Sequence, residues 1–519
     1  MAASLVAKTA QMDELIKQAD VKELLKRDKR SWYQKENLRS LYSVLLPATL
    51  GVEMAAGYDG SMTNGLQSVS VWLAYFGHPS GSVLGIITAA FAIGSIIALP
   101  IVPWTNDTLG RKPSIIIGSL IMLVGVALQA GSVHIAMFFV ARLLLGIGIV
   151  FGVGGASQLL AELVHPSDRA VCIGLFSESW YAGAIVAAGV TLGSFAMTST
   201  WSWRLPSLLQ LIPTFITLTF IWWVPESPRW LVAHDRAEEA LAILTRYHGE
   251  GDPDNALVRA QMFEIKSAIE KEQKVSKGVW FDLIRTRGNR HRSLIALCAG
   301  CFLEWSGNGL FAYYLTKVLS TAGVTSAYKQ NVINVSLQCW NLLTGVTGAF
   351  CTQFLGRRSQ YLIAYTGMTL VFTAYTISAA CYVENGNASA AISAVAMVFL
   401  YAPIYNLMMP LTYIYVTEIF PYSLRAKGVA ITQTATRGAT AFNQFVNPIG
   451  MQNAGWKFFL TYCIWTAFET VVIYFVYPET KGPTLEEVSL RFDGMQVKES
   501  DPESAMPESD IELKTEEST

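Results

Sequence analysis

The sequence predicts an all-α membrane protein of about twelve transmembrane helices, arranged as two six-helix pseudo-repeats. Three observations lead there. Hydrophobic residues fill 52% of the 519 positions and charged ones only 15%, with a mean hydropathy of +0.36. A soluble domain carries about a quarter charged residues, so the apolar excess must face lipid. That excess is parcelled into runs of the ~20 residues needed to cross the hydrocarbon core. Three short motifs also occur twice, about 250 residues apart, as an internally duplicated membrane fold requires.

The elements follow in order. Residues 1–40 form a polar tail with its basic residues clustered at Lys26 to Arg30, and no cleavable signal is evident. The stretch Met12 to Lys29 reads equally well as an amphipathic surface helix or a solvated tail. A first bundle (41–230) holds spans near 43–66, 83–103, 114–131, 135–158, 172–196 and 206–224. A soluble helical linker (231–292), rich in Lys, Arg, Glu and Asp, joins it to a second bundle (293–480). The spans there lie near 293–316, 330–352, 361–382, 390–416, 428–448 and 457–477. An acidic tail (481–519) closes the chain, with disorder expected after about residue 493. If every span crosses once, Arg111-Lys112, Arg357-Arg358 and Arg285 to Arg292 share one side. The positive-inside rule makes that side cytosolic and puts both termini there.

The repeated motifs carry the chemistry of that side. Gly110-Arg111-Lys112 returns as Gly356-Arg357-Arg358; Glu162 and Arg169 stand seven apart, as do Glu418 and Arg425. Pro225-Glu226-Ser227-Pro228-Arg229 is echoed by Pro478-Glu479-Thr480-Lys481. Carboxylates and arginines so spaced at helix ends can pair into a ring that holds an inner gate shut in one state and opens in another. The ring takes in Asp107, Arg111, Glu162, Arg169, Glu226, Arg229, Arg357, Glu418, Arg425 and Glu479. Gln353 stands near the place matching Asp107, so the second half lacks one acid. The other reading is that these charges only set topology; the repeated spacing favours gating.

These motifs resemble the sugar porter family of the major facilitator superfamily. The likeness runs from Gly57-Tyr58-Asp59-Gly60 to Pro478-Glu479-Thr480-Lys481-Gly482. Trp203 to Pro206, Ser306 to Gly309 with Tyr313-Tyr314, and Asn443 to Pro448 resemble the fungal lactose permease and hexose transporter group. The resemblance implies the major facilitator fold, alternating access, and import of a mono- or disaccharide by proton symport.

An ionisable residue inside a span is costly and is read as functional. Asp59, Arg142, Glu178, Glu304 and Arg437 stand out; Glu53 and Glu469 lie nearer span ends or the lipid face. Asp59 and Arg142 have no counterparts in the other half, as a dedicated proton site would look. The resemblance implies that Asp59 carries the proton and Arg142 is its counter-charge; a static ion pair is the alternative. It also implies a sugar cavity lined by Asn341, Tyr313, Tyr314, Glu304 and Tyr413. Ser177 takes the place of a binding-site glutamine and Glu304 that of another, which leaves room for a different solute. Asn443 and Asn447, four apart on one face, read equally as cavity lining or as helix packing.

Other readings are narrower. Cys298-x-x-Cys301 lies in an apolar run without a histidine, so it reads as two small helix residues, and no metal or cofactor is expected. Nothing resembles a nucleotide-binding loop, and the net charge of −1 offers nothing to nucleic acid. The expected partners are a sugar or related solute, the proton and the lipid bilayer of the cell membrane. Asn387-Ala388-Ser389 is a glycosylation sequon in an outer loop. No enzyme is expected. The rivals are a transporter or exporter of a sugar acid, polyol or secondary metabolite, and a transport-dead sugar sensor.

Overall fold

The computed structural model describes residues 25, 30–252, 254–275, 280–352, 354–481 and 492. Apart from Leu25 and Arg30, the N-terminal tail up to that point lies outside them, as do Gln353 and the acidic tail beyond Lys481 save Phe492. The described residues are helical, with no strand.

Twelve helical runs coincide with the twelve expected spans. In the first half they are Glu36–Leu66, Gly81–Ala98 continuing as Ile101–Thr108, Arg111–Ala130, Ile135–Leu163, Arg169–Ser194, and Trp201–Leu209 continuing as Leu211–Ile221. In the second half they begin with a span in three pieces, Arg287–Trp305, Asn308–Tyr313 and Leu315–Thr321. Ala327–Cys351, Arg357–Asn385, Ala388–Met408 with Leu411–Ile419, Tyr422–Ala454 and Phe458–Val476 follow. Length and apolarity alone pick out nine stretches among the described residues. Spans one and eight escape that filter because each carries many polar side chains, and both turn these toward the contact between the halves.

The breaks have local causes. Spans two and ten bend where Pro100 and Pro410 remove a backbone donor. Span seven is interrupted by Gly307, at φ +110°, where a Cβ would lie 2.2 Å from the Phe372 ring. Only glycine fits that turn.

Each half packs around its own core, one built from residues such as Leu45, Ile115, Leu145 and Leu159, the other from Ile295, Phe302, Phe372 and Tyr415. A third cluster crosses between them, joining Tyr58, Met62, Trp72 and Trp203 to Tyr314. The linker helices Pro228–Ala233, Ala237–Tyr247 and Ala256–Val275 share a small core of Leu231, Leu244 and Val258. They dock on the first half: His248 Nε2 bonds the Leu163 carbonyl at 3.0 Å, and Glu250 accepts the N–H groups of Asn37 and Leu38 at 3.2 and 3.0 Å.

Candidate functional site

Span one carries Asp59 and span four carries Arg142 into the middle of the first half, where they are 2% and 0% exposed. Arg142 Nη1 donates to both carboxylate oxygens, at 2.7 and 2.6 Å, and to Thr63 Oγ1 at 2.8 Å. Gln210, at the break in span six, donates to Asp59 Oδ1 at 3.2 Å. The guanidinium lies over the Phe91 ring. Two opposite charges so buried persist only because each compensates the other. The sequence reading missed Gln210, whose signal was an amide beside a predicted helix end.

At the face bearing the basic loops, the motif residues form two matching clusters, one in each half. Arg111 pairs with Glu162 (Nε to Oε2, 3.2 Å) and Arg357 with Glu418 (Nη2 to Oε1, 3.1 Å). Glu226 and Glu479 do other work. Glu226 accepts the backbone N–H groups of Arg111 and Lys112 at 3.2 and 3.1 Å; Glu479 accepts those of Arg357 and Arg358 at 2.7 and 3.1 Å. Each carboxylate thus caps the N-terminus of a span, where unpaired donors and the helix dipole attract an anion. The glycines make room: a Cβ on Gly110 or Gly356 would lie 2.5 Å from the capping oxygen. Ser227 and Thr480 then donate their hydroxyls to Glu162 and Glu418. Burial pushes the Glu226 carboxyl above its usual range, and the N–H bonds pull it back.

The remaining gate residues are looser. Asp107 is 77% exposed at its side chain and 3.9 Å from Arg111. Arg169 is exposed and, among the described residues, forms no ion pair with Glu162 or Glu418. Arg229 opens the helix Pro228–Ala233 and Arg425 sits in the first turn of span eleven. The Arg–Glu pairs and the Glu caps each stay within one half. These are inter-helix bridges between a carboxylate at one helix end and the Gly-Arg loop of another, repeated in each half, with the capping glutamates bound to backbone N–H groups.

At the opposite face the halves are bonded together. Gln67 donates to the Tyr313 carbonyl at 2.7 Å, Asn331 to Ser68 Oγ at 2.9 Å, and Thr88 to the Gln444 carbonyl at 3.1 Å. Tyr314 donates to that same carbonyl at 2.5 Å. A deeper bond joins Tyr181 to Asn406 Oδ1 at 2.8 Å.

Between these layers lies the central region. The two tyrosines divide: Tyr314 is fully buried in the closed face, whereas the Tyr313 ring approaches Gly60 beside Trp180. Trp180 went unremarked in the sequence because an aromatic in a span is ordinary. Thr440 donates to the Thr436 carbonyl at 2.7 Å on span eleven, the helix that also carries Arg437. Asn443 donates to the Glu304 carbonyl at 2.6 Å, and Tyr462 donates to Asn443 and Asn447 at 3.3 and 2.6 Å, so both amides tie helices together. Asn341 receives Asn406 Nδ2 on its backbone carbonyl at 3.2 Å. Ser177 bonds back to Ile173 of its own helix, and it is Glu178 that packs across against Gly345. Tyr413 lies on Leu411–Ile419, with its side chain outside the described residues.

Two sequence readings need correction. Glu469 does not face lipid: it is 0% exposed and takes the Trp465 indole N–H at 2.6 Å. Glu53 is partly buried, with one carboxylate oxygen sealed from solvent and without a hydrogen-bond partner among the described residues. On span twelve the lipid-facing positions go to Ile464, Phe468, Val471 and Phe475, which leaves Glu469 on the inner side. Cys298 and Cys301 are free thiols, and no group of three metal-ligating residues occurs among the described residues.

The family model for "Sugar (and other) transporter" matches residues 44–492. The chain belongs to the sugar porter family. This sugar porter is 30% identical to a high-affinity glucose transporter of Kluyveromyces lactis, over 83% of this chain and 81% of the relative. It is 29% identical to the MFS-type transporter oryC of Aspergillus oryzae (83% and 82% covered) and 28% identical to the sugar transporter STL1 of Saccharomyces cerevisiae (79% and 72%). Its fold is shared with the inward open xylose transporter XylE of E. coli, at a TM-score of 0.73 and 22% identity, covering 87% of this chain and 99% of that one. Like the rest of this family it is a membrane-spanning transporter of the major facilitator fold and not an enzyme.

Proposed function

We propose that this sugar porter imports a mono- or disaccharide together with a proton, by alternating access. The observation that carries the reading is the sealed Asp59–Arg142 pair, held by Thr63 and Gln210 beside the moving break of span six. A proton on Asp59 removes the charge that Arg142 grips, so loading and helix movement become one event. The relatives named for glucose and sugar support the sugar as solute, and the proton:xylose symporter XylE supports the proton.

In this reading the basic face is cytosolic, with the linker and both termini. The bonded face is outside, so the structure stands closed to the exterior. Residues 41–230 and 293–480 are the two rocking bundles, and the Arg111–Glu162 and Arg357–Glu418 clamps are their inner gate parts. Tyr313, Glu304, Asn341, Tyr413 and Ser177 are proposed around the sugar, joined by Trp180. The proposed membrane is the cell membrane, and exposed Asn387 is the glycan acceptor on its outer side. A second reading, a sugar acid or other hydroxylated metabolite, is favoured by the charge of Glu304 and Arg437 in the cavity.

The test is uptake of labelled glucose, xylose, lactose, cellobiose and glucuronate by cells lacking their own sugar porters. We expect accumulation that is faster at acid outside pH and abolished by a protonophore or by Asp59→Asn, with surface delivery intact. Uptake indifferent to pH and to Asp59→Asn would leave a uniporter. Delivery to the surface with no uptake of any of them would sink the sugar reading.

A further inference from the structure

The last stretch of the linker departs from the soluble segment that its composition suggests. Just before span seven, Trp280 and Phe281 are 61% and 62% exposed, and Ile284, one turn on, is 54% exposed. Leu283 beside them points the other way and is buried in the core of the second half. Three large apolar side chains on the open side of a short helix, Asp282–Arg285, are costly to leave in water.

Bonds to span seven fix the level at which they lie. Ser293 donates to the Leu283 carbonyl at 3.0 Å and Asn289 to that of Asp282 at 2.8 Å, so the short helix folds back along the first turns of the span. His291 bonds the Val476 carbonyl at 2.9 Å, which sets those turns beside the end of span twelve. There Tyr474 and Phe475 are themselves exposed. Aromatics gathered where spans end mark the boundary between lipid and water. The first half repeats the arrangement about 250 residues earlier, with Trp32-Tyr33 exposed just before span one and Trp222-Trp223 exposed at the end of span six. Trp280 and Phe281 therefore sit at headgroup depth.

What sets the second half apart is charge. Arg285, Arg287 and Arg290 are exposed beside the apolar side chains, and the acid among them, Asp282, meets Arg285 at 3.8 Å. Before span one, exposed Arg39 is balanced by exposed Glu36. An apolar face at the boundary, rimmed by an excess of guanidinium groups, is complementary to phosphate-bearing headgroups of net negative charge.

We propose that Trp280, Phe281 and Ile284, with Arg285, Arg287 and Arg290, form a docking surface for anionic phospholipids of the leaflet on the basic side. The apolar side chains enter the acyl boundary and the guanidinium groups hold the phosphates. The end of the linker and the start of span seven are thereby moored to charged lipid, whereas the first half rests on its aromatics.

The test uses the full-length chain with its seven native cysteines replaced and Ile284→Cys carrying an environment-sensitive fluorophore. It is placed in vesicles of phosphatidylcholine and phosphatidylserine, one or the other brominated on its acyl chains so that it quenches on contact. Phosphatidylserine is expected to quench several-fold more per molecule than phosphatidylcholine. Arg285→Gln, Arg287→Gln and Arg290→Gln together should make the two lipids equal, and Trp280→Ser with Phe281→Ser should reduce quenching by both. Leu241→Cys, exposed on Ala237–Tyr247, gives the reading for a linker position in water. A label at residue 284 that is quenched no more than one at residue 241 overturns the proposal and leaves the surface to water or to a protein. Equal quenching by the two lipids before the arginines are changed overturns it too. So does a preference that survives the glutamines, or quenching that survives the serines. The readout needs no solute, so it stands or falls apart from the transport reading.

Discussion

At the scale of single residues, the duplicated motifs are explained by two oxygen atoms. Gly110 and Gly356 occupy equivalent places, and each yields space to a capping glutamate, but their backbones differ: φ is +109° at Gly110 and −67° at Gly356. Alanine at either site collides with the cap, and at Gly110 it must also adopt a left-handed backbone, costing roughly 1–2 kcal/mol more. Gly110→Ala is therefore expected to lower the thermal midpoint of the purified protein further than Gly356→Ala. Equal losses would mean that the collision alone decides. The sequence showed both glycines, and nothing in it separated the two, because φ belongs to the path of the chain.

The same limit applies to the carboxylates. The types of residue in the spans were legible as costly and therefore purposeful. So was the partnering of Asp59 with Arg142; the use of Glu226 and Glu479 as backbone caps was not. Glu226 and Glu479 went to backbone termini, and Glu469 turned from an ambiguous residue into the acceptor of the Trp465 indole N–H. Seven-residue spacing puts two side chains near one helix end, but the third dimension chooses their partners.

At the scale of elements, the linker is fastened to the first half by His248 and Glu250. Burial, with Arg169 and Lys35 nearby, holds His248 below its ordinary value of 6.5 despite its bonds to Gln261 and Leu163. The unfolded linker therefore binds protons more readily than the docked one. Stability is present above the unfolded value and is lost as pH falls through that range. The protection of amides in Ala237–Tyr247, taken as exchange relative to the intrinsic rate at each pH, is expected to fall on acidification from above neutral, and His248→Gln should flatten that fall. Protection that does not change with pH in the native chain would count against this latch. The sequence marked the linker as charged and helical; its docking surface became visible only with the end of span four placed beside it.

For the whole molecule, bonds between the halves close the face opposite the basic loops, which is the outer face in the proposed orientation. Tyr314→Phe removes a hydroxyl that reaches Gln444, at a cost of about 1 kcal/mol to the closed face. That shifts the balance several-fold toward the outward state. The measurement is labelling of Ser68→Cys by an impermeant thiol reagent, on a chain with its seven native cysteines replaced. Faster labelling in the Tyr314→Phe background is expected; an unchanged rate would show that Tyr314 does not latch the face.

By itself the sequence determined the class of the molecule: an all-α membrane protein with twelve apolar runs, motifs repeated in two halves and a charged linker between them. Apolar length and motif spacing are properties of the linear chain, and the bilayer reads them directly. Only the tertiary structure decided which polar groups meet. The hold of Thr63 and Gln210 on the Asp59–Arg142 pair, the glutamate caps, and the split roles of Tyr313 and Tyr314 all depend on how the helices rotate about their axes. That rotation is chosen by packing among helices, and packing joins residues that lie far apart in the chain.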